Sequence, residues 1–207
     1  MSFDGITVGA LVHSFRECLT DARVYKIAQT EKDELLLTLK TKKETAYGNT
    51  VRLLLSANAS LPLALLTTEN KPAPAVAPAF CMLLRKHLEN GRVQNVTQPS
   101  LERVIRFEIS HLDEMGDLRT RTLIVEMMGK HSNIILCDEN GVVLDAIKHV
   151  PSSVSSVREV LPGREYFLPD TKHKHDPFQI TDAQLFTGVM TDGAEKPADI
   201  REALYGR

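Results

Sequence analysis

The chain has 207 residues, with 25 lysines and arginines against 27 aspartates and glutamates, which gives a formal charge of −2. Its length suits one good-sized domain, or one domain with part of another, and its 43% hydrophobic and 25% charged residues exclude disordered, collagen-like and coiled-coil classes. Because domains that bind nucleic acids are usually basic, this charge gives no argument for a nucleic acid partner.

Cysteine usage and the N-terminus predict an intracellular protein. The three cysteines, Cys18, Cys81 and Cys137, are widely spaced in apolar segments, so we interpret them as buried thiols and predict neither disulfides nor a zinc site. Residues 1–5 lack the basic and apolar regions of a signal peptide. The longest aliphatic stretch, residues 61–66, is far shorter than the roughly twenty residues of a membrane span. We therefore expect a cytoplasmic protein without membrane contact.

The first half of the sequence predicts a helix followed by short strands. Asp4 is a candidate N-cap for a helix that extends to residue 20, because apolar residues recur there at three- and four-residue spacing. A polar loop is expected at residues 41–49. The strand pattern predicts four strands, at 23–29, 35–40, 51–56 and 64–67.

A proline-rich connection leads to a second predicted helix. Three prolines within residues 71–78 exclude a central strand or a helix interior there. Pro78 is placed to begin a helix over residues 79–90, which Gly91 closes in the left-handed conformation. Phe80, Met82, Leu84 and Leu88 are expected to pack inward.

Strands return in the second half of the sequence, at 92–98, 103–110, 118–128, 133–137 and 142–148. Asn140 and Gly141 predict a hairpin turn, because both residue types accept positive φ angles. This order predicts an α+β domain with antiparallel sheets. Serines and prolines after Val150 indicate an irregular segment, and helical patterns resume at 181–189 and 199–205. We expect a domain over residues 1–180 and the incomplete start of a helical domain over 181–207.

No catalytic constellation is evident. Of the seven histidines, only His173 and His175 are close in sequence, in a loop whose flanking lysines would repel a metal ion. We interpret that loop, residues 172–176, as solvated. The motifs of serine hydrolases, nucleotide-binding loops and zinc proteases are missing from the sequence. No metal, cofactor or enzymatic activity is predicted.

One turn carries more polar side chains than a turn requires. Residues 129–133 place a glycine, a lysine, a histidine, a serine and an asparagine between two apolar strands. One interpretation is a structural β-turn, with Gly129 at positive φ and Asn133 bonded to nearby backbone. The other is a polar projection that binds phosphate, sugar or a partner surface.

A second polar feature is the pair Glu102 and Arg103 at the start of a strand, followed by Arg106. One interpretation is that these charged side chains lie at the edge of a strand, in contact with water. The alternative is an arginine that a neighbouring carboxylate holds in position for a phosphate or a base.

These segments together resemble the N-terminal domain of the NFACT family, whose members have long been labelled fibronectin-binding proteins. The most specific matches are the helix string Phe-Cys-Met-Leu-Leu-Arg-Lys-His-Leu at 80–88 and the string Met-Gly-Lys-His-Ser-Asn at 128–133. Further matches are Ser-Phe-Asp-Gly at 2–5, Arg-Val-Tyr-Lys-Ile at 23–27, Leu-Leu-Leu-Ser-Ala at 53–57 and Leu-Asp-Ala-Ile-Lys-His at 144–149. The resemblance extends from residue 2 to about residue 180.

The resemblance implies a fold and a function. The family domain is similar to the N-terminal β-sandwich, with flanking helices, of formamidopyrimidine-DNA glycosylases, and a helix-hairpin-helix region follows it. Family members bind obstructed large ribosomal subunits together with peptidyl-tRNA. In bacteria they recruit alanyl-tRNA and add C-terminal alanine tails to stalled chains.

The resemblance also implies functional residues. The family's Asp-Arg dyad for tRNA-dependent tailing falls on Glu102 and Arg103, with a longer acidic side chain than usual. Lys130 stands where arginine is more common. The ribosome-facing string falls on Glu126, Met127, Met128, Gly129, Lys130, His131, Ser132 and Asn133.

Two other functions are weighed against this one. The older label implies a surface adhesin that binds fibronectin, which would need unconventional export because no signal peptide is visible. A base-excision enzyme is disfavoured, because the glycosylases of this fold use a proline at position 2 as nucleophile and an adjacent glutamate. Here these positions are Ser2 and Phe3.

Overall fold

The structure is a computed structural model that describes residues 3–169, and it confirms the α+β class. Two helices, α1 (Gly5–Leu19) and α2 (Ala79–Leu88), accompany nine strands in this part of the chain. The strands are β1 (Arg23–Glu31), β2 (Glu34–Thr45), β3 (Gly48–Ala57), β4 (Pro62–Thr67), β5 (Arg92–Thr97), β6 (Val104–Leu112), β7 (Leu118–Glu126), β8 (Asn133–Cys137) and β9 (Val143–Ala146).

The strands form one antiparallel sheet that folds over itself into a sandwich. Their order is β4-β3-β2-β1-β5-β6-β7-β8-β9. Strands β1 and β5 share the residue pair Arg23 and Arg92, and four backbone hydrogen bonds between residues 21–24 and 90–93 join the two strands at the middle of the sheet. Strand β3 contacts β7 and β8, which places the half formed by β1–β4 against the half formed by β5–β9.

The main core lies between the two half-sheets and the helices. Helix α1 contributes its three- and four-spaced face, Val8, Val12, Phe15 and Leu19, as the sequence pattern predicts. Asp4 caps α1 by accepting a 2.7 Å hydrogen bond from the backbone N–H of Thr7. That bond also lowers the pKa of the exposed Asp4 carboxyl, because it stabilises the charged form.

The predicted polar loop at residues 41–49 is wrong. Strand β2 continues to Thr45 and β3 begins at Gly48, with Thr45 paired to Gly48. The sequence offered no apolar alternation there, but backbone pairing extends the hairpin beyond the buried part of both strands. The tight turn is completed by Gly48 at a φ of 80° and by the Thr45 hydroxyl, which accepts from the Tyr47 N–H.

Helix α2 is shorter than predicted and ends differently. It stops at Leu88, and Asn90 rather than Gly91 takes the left-handed conformation, with a φ of 68°. Gly91 serves close packing, since a Cβ there would lie 2.8 Å from the Ser110 carbonyl oxygen and 2.9 Å from that of Leu88. Met82 is 53% exposed, so its predicted inward packing is wrong. It lies about 200° around the helix from the buried Phe80.

A second, smaller core covers the outer face of the half-sheet β5–β9. It includes Val104, Ile124 and Ile135, with Val160, Tyr166 and Leu168 from the irregular segment 150–169 packed on them. That segment confirms the prediction of irregular structure after Val150, and bridges join Val150 to Val160 and Val142 to Glu165. We call residues 150–169 the wrap.

The hairpin between β8 and β9 is confirmed, with a different turn geometry. Only Gly141 has a positive φ, of 81°, while the Asp138 carboxylate accepts hydrogen bonds from the N–H groups of Asn140 and Val142. Cys81 and Cys137 are buried and Cys18 is half-buried, and all three are free thiols.

The loop at 172–176 and the helices predicted at 181–189 and 199–205 lie outside the described residues. Neither described helix has the length and apolar character needed to cross a membrane.

The end of α2 gives the first prediction, a contrast between two adjacent substitutions. Gly91→Ala should lower the free energy of unfolding by about 2 kcal/mol, because its Cβ meets two backbone oxygens that cannot rotate away. Asn90→Gly should be neutral within about 1 kcal/mol, because glycine adopts the positive φ without strain. Urea unfolding monitored by circular dichroism measures both. Equal stability of the two variants would contradict the packing role of Gly91.

Candidate functional site

The fold brings the two polar features of the sequence to the same end of the half-sheet β5–β9. Strand β6 begins where β7 ends, with Val104 paired to Glu126. Just beyond that pair, the Met127 N–H donates a 2.8 Å hydrogen bond to the Arg103 carbonyl oxygen. Residues 102–103 and 126–133 are therefore neighbours in space, and we treat them together as the candidate site.

The loop that carries Arg103 rests on the start of α1. The Gln98 amide donates to the carbonyl oxygens of Gly5 and Glu102, each at 2.8 Å. The contact is so close that a Cβ on Gly5 would lie 2.0 Å from the Leu101 carbonyl oxygen. Glycine at position 5 thus permits the approach that sets the position of residues 102 and 103.

The polar turn has the structural features that the first interpretation predicted. Gly129 has a φ of 59° and begins a single 3-10 turn to His131. The Ser132 hydroxyl accepts a 2.9 Å hydrogen bond from the Met128 N–H, and the Ser132 N–H donates to the Gly129 carbonyl oxygen. Lys130 and His131 lie exposed at its tip.

Asn133 fixes this turn to the chain that follows β9. Its side-chain oxygen accepts from the N–H groups of Ile134 and Lys148, and its amide donates 2.9 Å to the Lys148 carbonyl oxygen. The Lys148 ammonium in turn donates to the carbonyl oxygens of Ser132 and Ala57. Because Ala57 ends β3, Lys148 connects the turn to the other half-sheet.

Burial divides the predicted site residues into two groups. Glu126, Met127, Ser132 and Asn133 are each at most 2% exposed, so their side chains face the protein interior. Met128 and Gly129 are half-buried, as are Glu102 and Arg103. Within residues 3–169, no side-chain hydrogen bond or ion pair is recorded for the three groups Arg103, Lys130 and His131. These three are therefore the polar groups of the site that the described part of the chain leaves without a side-chain partner.

Glu126 has a full set of partners inside the protein. The Arg158 guanidinium donates to both carboxylate oxygens, at 2.7 and 2.6 Å, and the Tyr166 hydroxyl donates to one of them at 2.8 Å. Arg158 also donates 2.8 Å to the Phe167 carbonyl oxygen. The carboxylate thus holds the wrap against the outer face of the sheet.

The same cluster shifts the pKa values of its members. Burial, and then the adjacent Glu126 carboxylate, raise the pKa of the Tyr166 hydroxyl far above its usual range. Burial opposes the charge of Arg158, but its bonds to Glu126 outweigh that effect and raise the pKa of the guanidinium. Both groups therefore keep their protons at any physiological pH.

Arg106 and Cys137 lie beside this cluster. The Arg106 guanidinium lies 5.8 Å from the centre of the Tyr166 ring, in a cation–π contact, so it packs under the wrap. Burial, followed by the nearby Asp138, raises the pKa of the Cys137 thiol to about 12, so this thiol is unreactive. In residues 3–169, no three His, Cys, Asp or Glu side chains are grouped as metal ligands.

Sequence reasoning missed Arg158, Tyr166 and Lys148. A single glutamate after the apolar run Leu123-Ile124-Val125 is a signal of a buried carboxylate, which needs a cationic partner. No local pattern identifies that partner, because Arg158 lies 32 residues further along in irregular chain.

Known proteins with similar sequences point to one family. A model of the family described as NFACT N-terminal and middle domains matches residues 4–207. The Rqc2 homolog RqcH of Bacillus subtilis strain 168 is 38% identical over 186 residues, which are 89% of this chain and 32% of that protein. The Rqc2 homolog RqcH of Streptococcus suis strain 05ZYH33 is 34% identical over 207 residues, or 100% of this chain and 36% of that protein.

Solved structures agree with this result. The N-terminal domain of fibronectin-binding protein PavA from Streptococcus pneumoniae has a TM-score of 0.83 at 36% identity, covering 92% of this chain and 70% of that one. The N-terminal part of the fibronectin/fibrinogen-binding protein from Streptococcus suis has a TM-score of 0.84, with the same identity and coverage. The chain spans about a third of the length of the curated relatives it matches.

The buried cluster gives a second prediction. Arg158→Met should lower the free energy of unfolding by about 3 to 5 kcal/mol, because it leaves Glu126 charged and unpaired in the interior. The double variant Glu126→Met with Arg158→Met should be more stable than that single variant, since no buried charge remains. Urea unfolding measures both.

The ion pair between the exposed Arg164 and the half-buried Glu159 provides the matched control. Arg164→Met should change stability by at most about 1 kcal/mol, because an ion pair in solvent contributes little. A small effect of Arg158→Met, equal to that of Arg164→Met, would show that Glu126 does not hold the wrap.

The contact beneath Arg103 gives a third prediction. Gly5→Ala should displace the loop 98–103 and destabilise the domain, since the new methyl group would overlap the Leu101 carbonyl. Ser14→Ala, at an exposed position of the same helix, should leave that loop in place and gains helix propensity. Thermal unfolding and amide hydrogen exchange of residues 98–103 compare the two, and equal protection of that loop would refute the close contact.

Proposed function

Because the chain belongs to the NFACT family, we propose that it is the N-terminal module of a factor that binds obstructed large ribosomal subunits and tRNA and promotes C-terminal alanine tailing of stalled chains. The observation that supports this proposal is the set of three groups at the candidate site, Arg103, Lys130 and His131. They lie at one end of the sheet, and buried neighbours fix the backbone of each.

The chemistry of these groups suits a phosphate-rich partner. A guanidinium binds phosphate oxygens in pairs, and an ammonium adds a point charge. Protein side chains within residues 3–169 neutralise neither Arg103 nor Lys130, so both charges remain for the partner. His131 adds a ring that stacks on a base or donates to a phosphate. Glu102, next to Arg103, is then expected to orient the tRNA contact that the family's acidic-basic dyad makes.

The buried members of the string contribute indirectly. Glu126, Met127, Ser132 and Asn133 bind the backbone and the wrap, so their effect on RNA binding would come through the placement of Lys130 and His131. With a formal charge of −2, the chain relies on a few placed cations rather than on its overall field. The relatives named RqcH are about three times as long, so further modules would share the ribosome contact.

Fibronectin binding is the second candidate. It is favoured by the names of two similar structures, a fibronectin-binding protein and a fibronectin/fibrinogen-binding protein. It would require the protein outside the cell, so surface labelling of intact cells tests it. Failure to label this protein, while a known surface protein is labelled, would rule out a surface role.

The fourth prediction tests the tailing function. Alanine at both Glu102 and Arg103 should abolish alanine tailing by the factor, because it removes the acidic-basic pair expected to contact tRNA. Tailing is measured by gel shift of a stalled reporter chain.

Ribosome binding is tested separately at Lys130. Lys130→Ala should weaken co-sedimentation with large subunits about tenfold or more at physiological salt, through the loss of a phosphate contact.

The control is Lys32→Ala, which removes an exposed cation from the β1–β2 turn without touching the site. It should leave tailing and co-sedimentation unchanged. Normal tailing by the Glu102 and Arg103 double variant would refute the assigned role.

A further inference from the structure

A row of three cations crosses the outer surface where the two half-sheets join. Lys40 in β2 is the direct partner of Arg23 in β1, and Arg23 is the direct partner of Arg92 in β5. All three are exposed, while their chain neighbours Val24, Leu39 and Val93 are buried on the opposite face. Side chains of paired residues lie about 5 Å apart on one face, so these like charges repel one another. The pairing of like charges therefore costs some stability.

The structure orients these cations without neutralising them. Arg23 donates 2.6 Å to the side-chain oxygen of Asn90, and Arg92 donates 3.0 Å to the Asp21 backbone carbonyl. The Lys40 ammonium lies 3.9 Å from the centre of the Tyr25 ring. No ion pair to a carboxylate is recorded for Arg23, Lys40 or Arg92 in the described part of the chain, so the row keeps three positive charges.

Two nearby carboxylates have other partners. The Asp21 carboxylate lies 3.7 Å from Lys42, and Glu89 lies 3.8 Å from Arg85 while accepting from the Ile27 N–H. The cation row continues into hydroxyl side chains at both ends, because Thr50 pairs with Lys40 and Ser110 pairs with Arg92. A narrow row of donors thus crosses five strands.

Tyr25 adds an aromatic surface to the row. It is 52% exposed, so part of its ring is open to solvent. Cations interleaved with an exposed aromatic ring are the pattern by which proteins bind single-stranded nucleic acid, with phosphates on the cations and a base on the ring. A membrane surface would instead need several large apolar side chains beside the basic ones.

This row is distinct from the candidate site. Strand β6 separates Ser110, at one end of the row, from Arg103 by seven residues, which is about 23 Å at the rise of an extended strand. A ligand that contacts Lys40, Arg23 and Arg92 therefore need not touch Arg103 or Lys130.

We propose that Lys40, Arg23, Arg92 and Tyr25 form a second RNA-binding surface, which holds the sugar-phosphate backbone of a single strand and stacks one base. This surface goes beyond the proposed function, because it binds RNA independently of the candidate site and of alanine tailing.

The test compares two variants with the same change in charge. Arg23→Gln with Arg92→Gln should weaken binding of a fluorescent single-stranded RNA of about twelve nucleotides by about fivefold or more. It should also lower the slope of log affinity against log salt by about 1.4, since each lost phosphate contact accounts for about 0.7. Lys32→Gln with Lys86→Gln removes two exposed cations elsewhere and should change neither quantity. Fluorescence anisotropy over a salt series gives both measurements.

Tyr25 is tested at constant charge. Tyr25→Ala should weaken RNA binding about fivefold without changing the salt slope, while Tyr25→Phe keeps the ring and should retain the affinity. Circular dichroism confirms that each variant is folded.

Three results would overturn the proposal. The first is that the wild-type chain binds no RNA at low salt. The second is that the row variant and its control lose equal RNA affinity. The third is that the row variant loses binding to vesicles containing phosphatidylserine but keeps its RNA affinity.

The variant Arg103→Gln with Lys130→Gln separates this proposal from the proposed function. It should impair ribosome binding and leave the twelve-nucleotide RNA bound, whereas the row variant should lose that RNA whether or not the candidate site serves the ribosome.

Discussion

The buried Glu126 carboxylate is the constraint on which the second half of the domain depends. A carboxylate without exposure to water is tolerated only with a full set of donors, and here Arg158 and Tyr166 supply three. Both donors belong to a segment without helix or strand, so the carboxylate specifies where that segment lies. Val160, Leu168 and the Tyr166 ring can then cover the outer face of β6–β8. An apolar residue at position 126 could pack as well, but it would accept no hydrogen bonds from Arg158 and Tyr166.

This constraint also explains why residues 126–133, which the sequence suggested as a binding site, are mostly buried. Glu126 ends β7 and fixes the wrap, Asn133 begins β8 and binds the Lys148 backbone, and between them Ser132 closes the turn through the Met128 N–H. Ser132 and Asn133 satisfy backbone groups that would otherwise be buried without partners. They leave only Lys130 and His131 exposed, on a tip that cannot move freely. Within the turn, Ser132 and Asn133 therefore have a structural role, while Lys130 and His131 face solvent.

How much the sequence could predict follows from the range of the interactions involved. Helix α1 was predictable from Asp4 and its apolar spacing, and β8 from its apolar run, because local patterns determine both. The long β2–β3 hairpin was not, since its outer part is held by backbone pairing that leaves no hydrophobic signature. The prediction for Gly91 was wrong for a related reason. A glycine after a helix suggests a left-handed conformation, but here glycine is needed because the Ser110 carbonyl oxygen, from a strand distant in sequence, leaves no room for a Cβ. The partner of Glu126 and the cross-strand neighbours of Arg23 depend on the register of the whole sheet, which no local pattern contains.

The same limit applies to charge. A formal charge of −2 describes the field far from the molecule, but a ligand within a Debye length, about 8 Å, responds to the charges in front of it. The pairing of β2, β1 and β5 places Lys40, Arg23 and Arg92 side by side, although 17 and 69 residues separate Arg23 from the other two along the chain. Neutral acceptors orient the row while the nearby acids Asp21 and Glu89 are paired elsewhere. A balanced composition therefore argues against a general affinity for nucleic acid but not against a local one, which depends on the charges that the fold brings together.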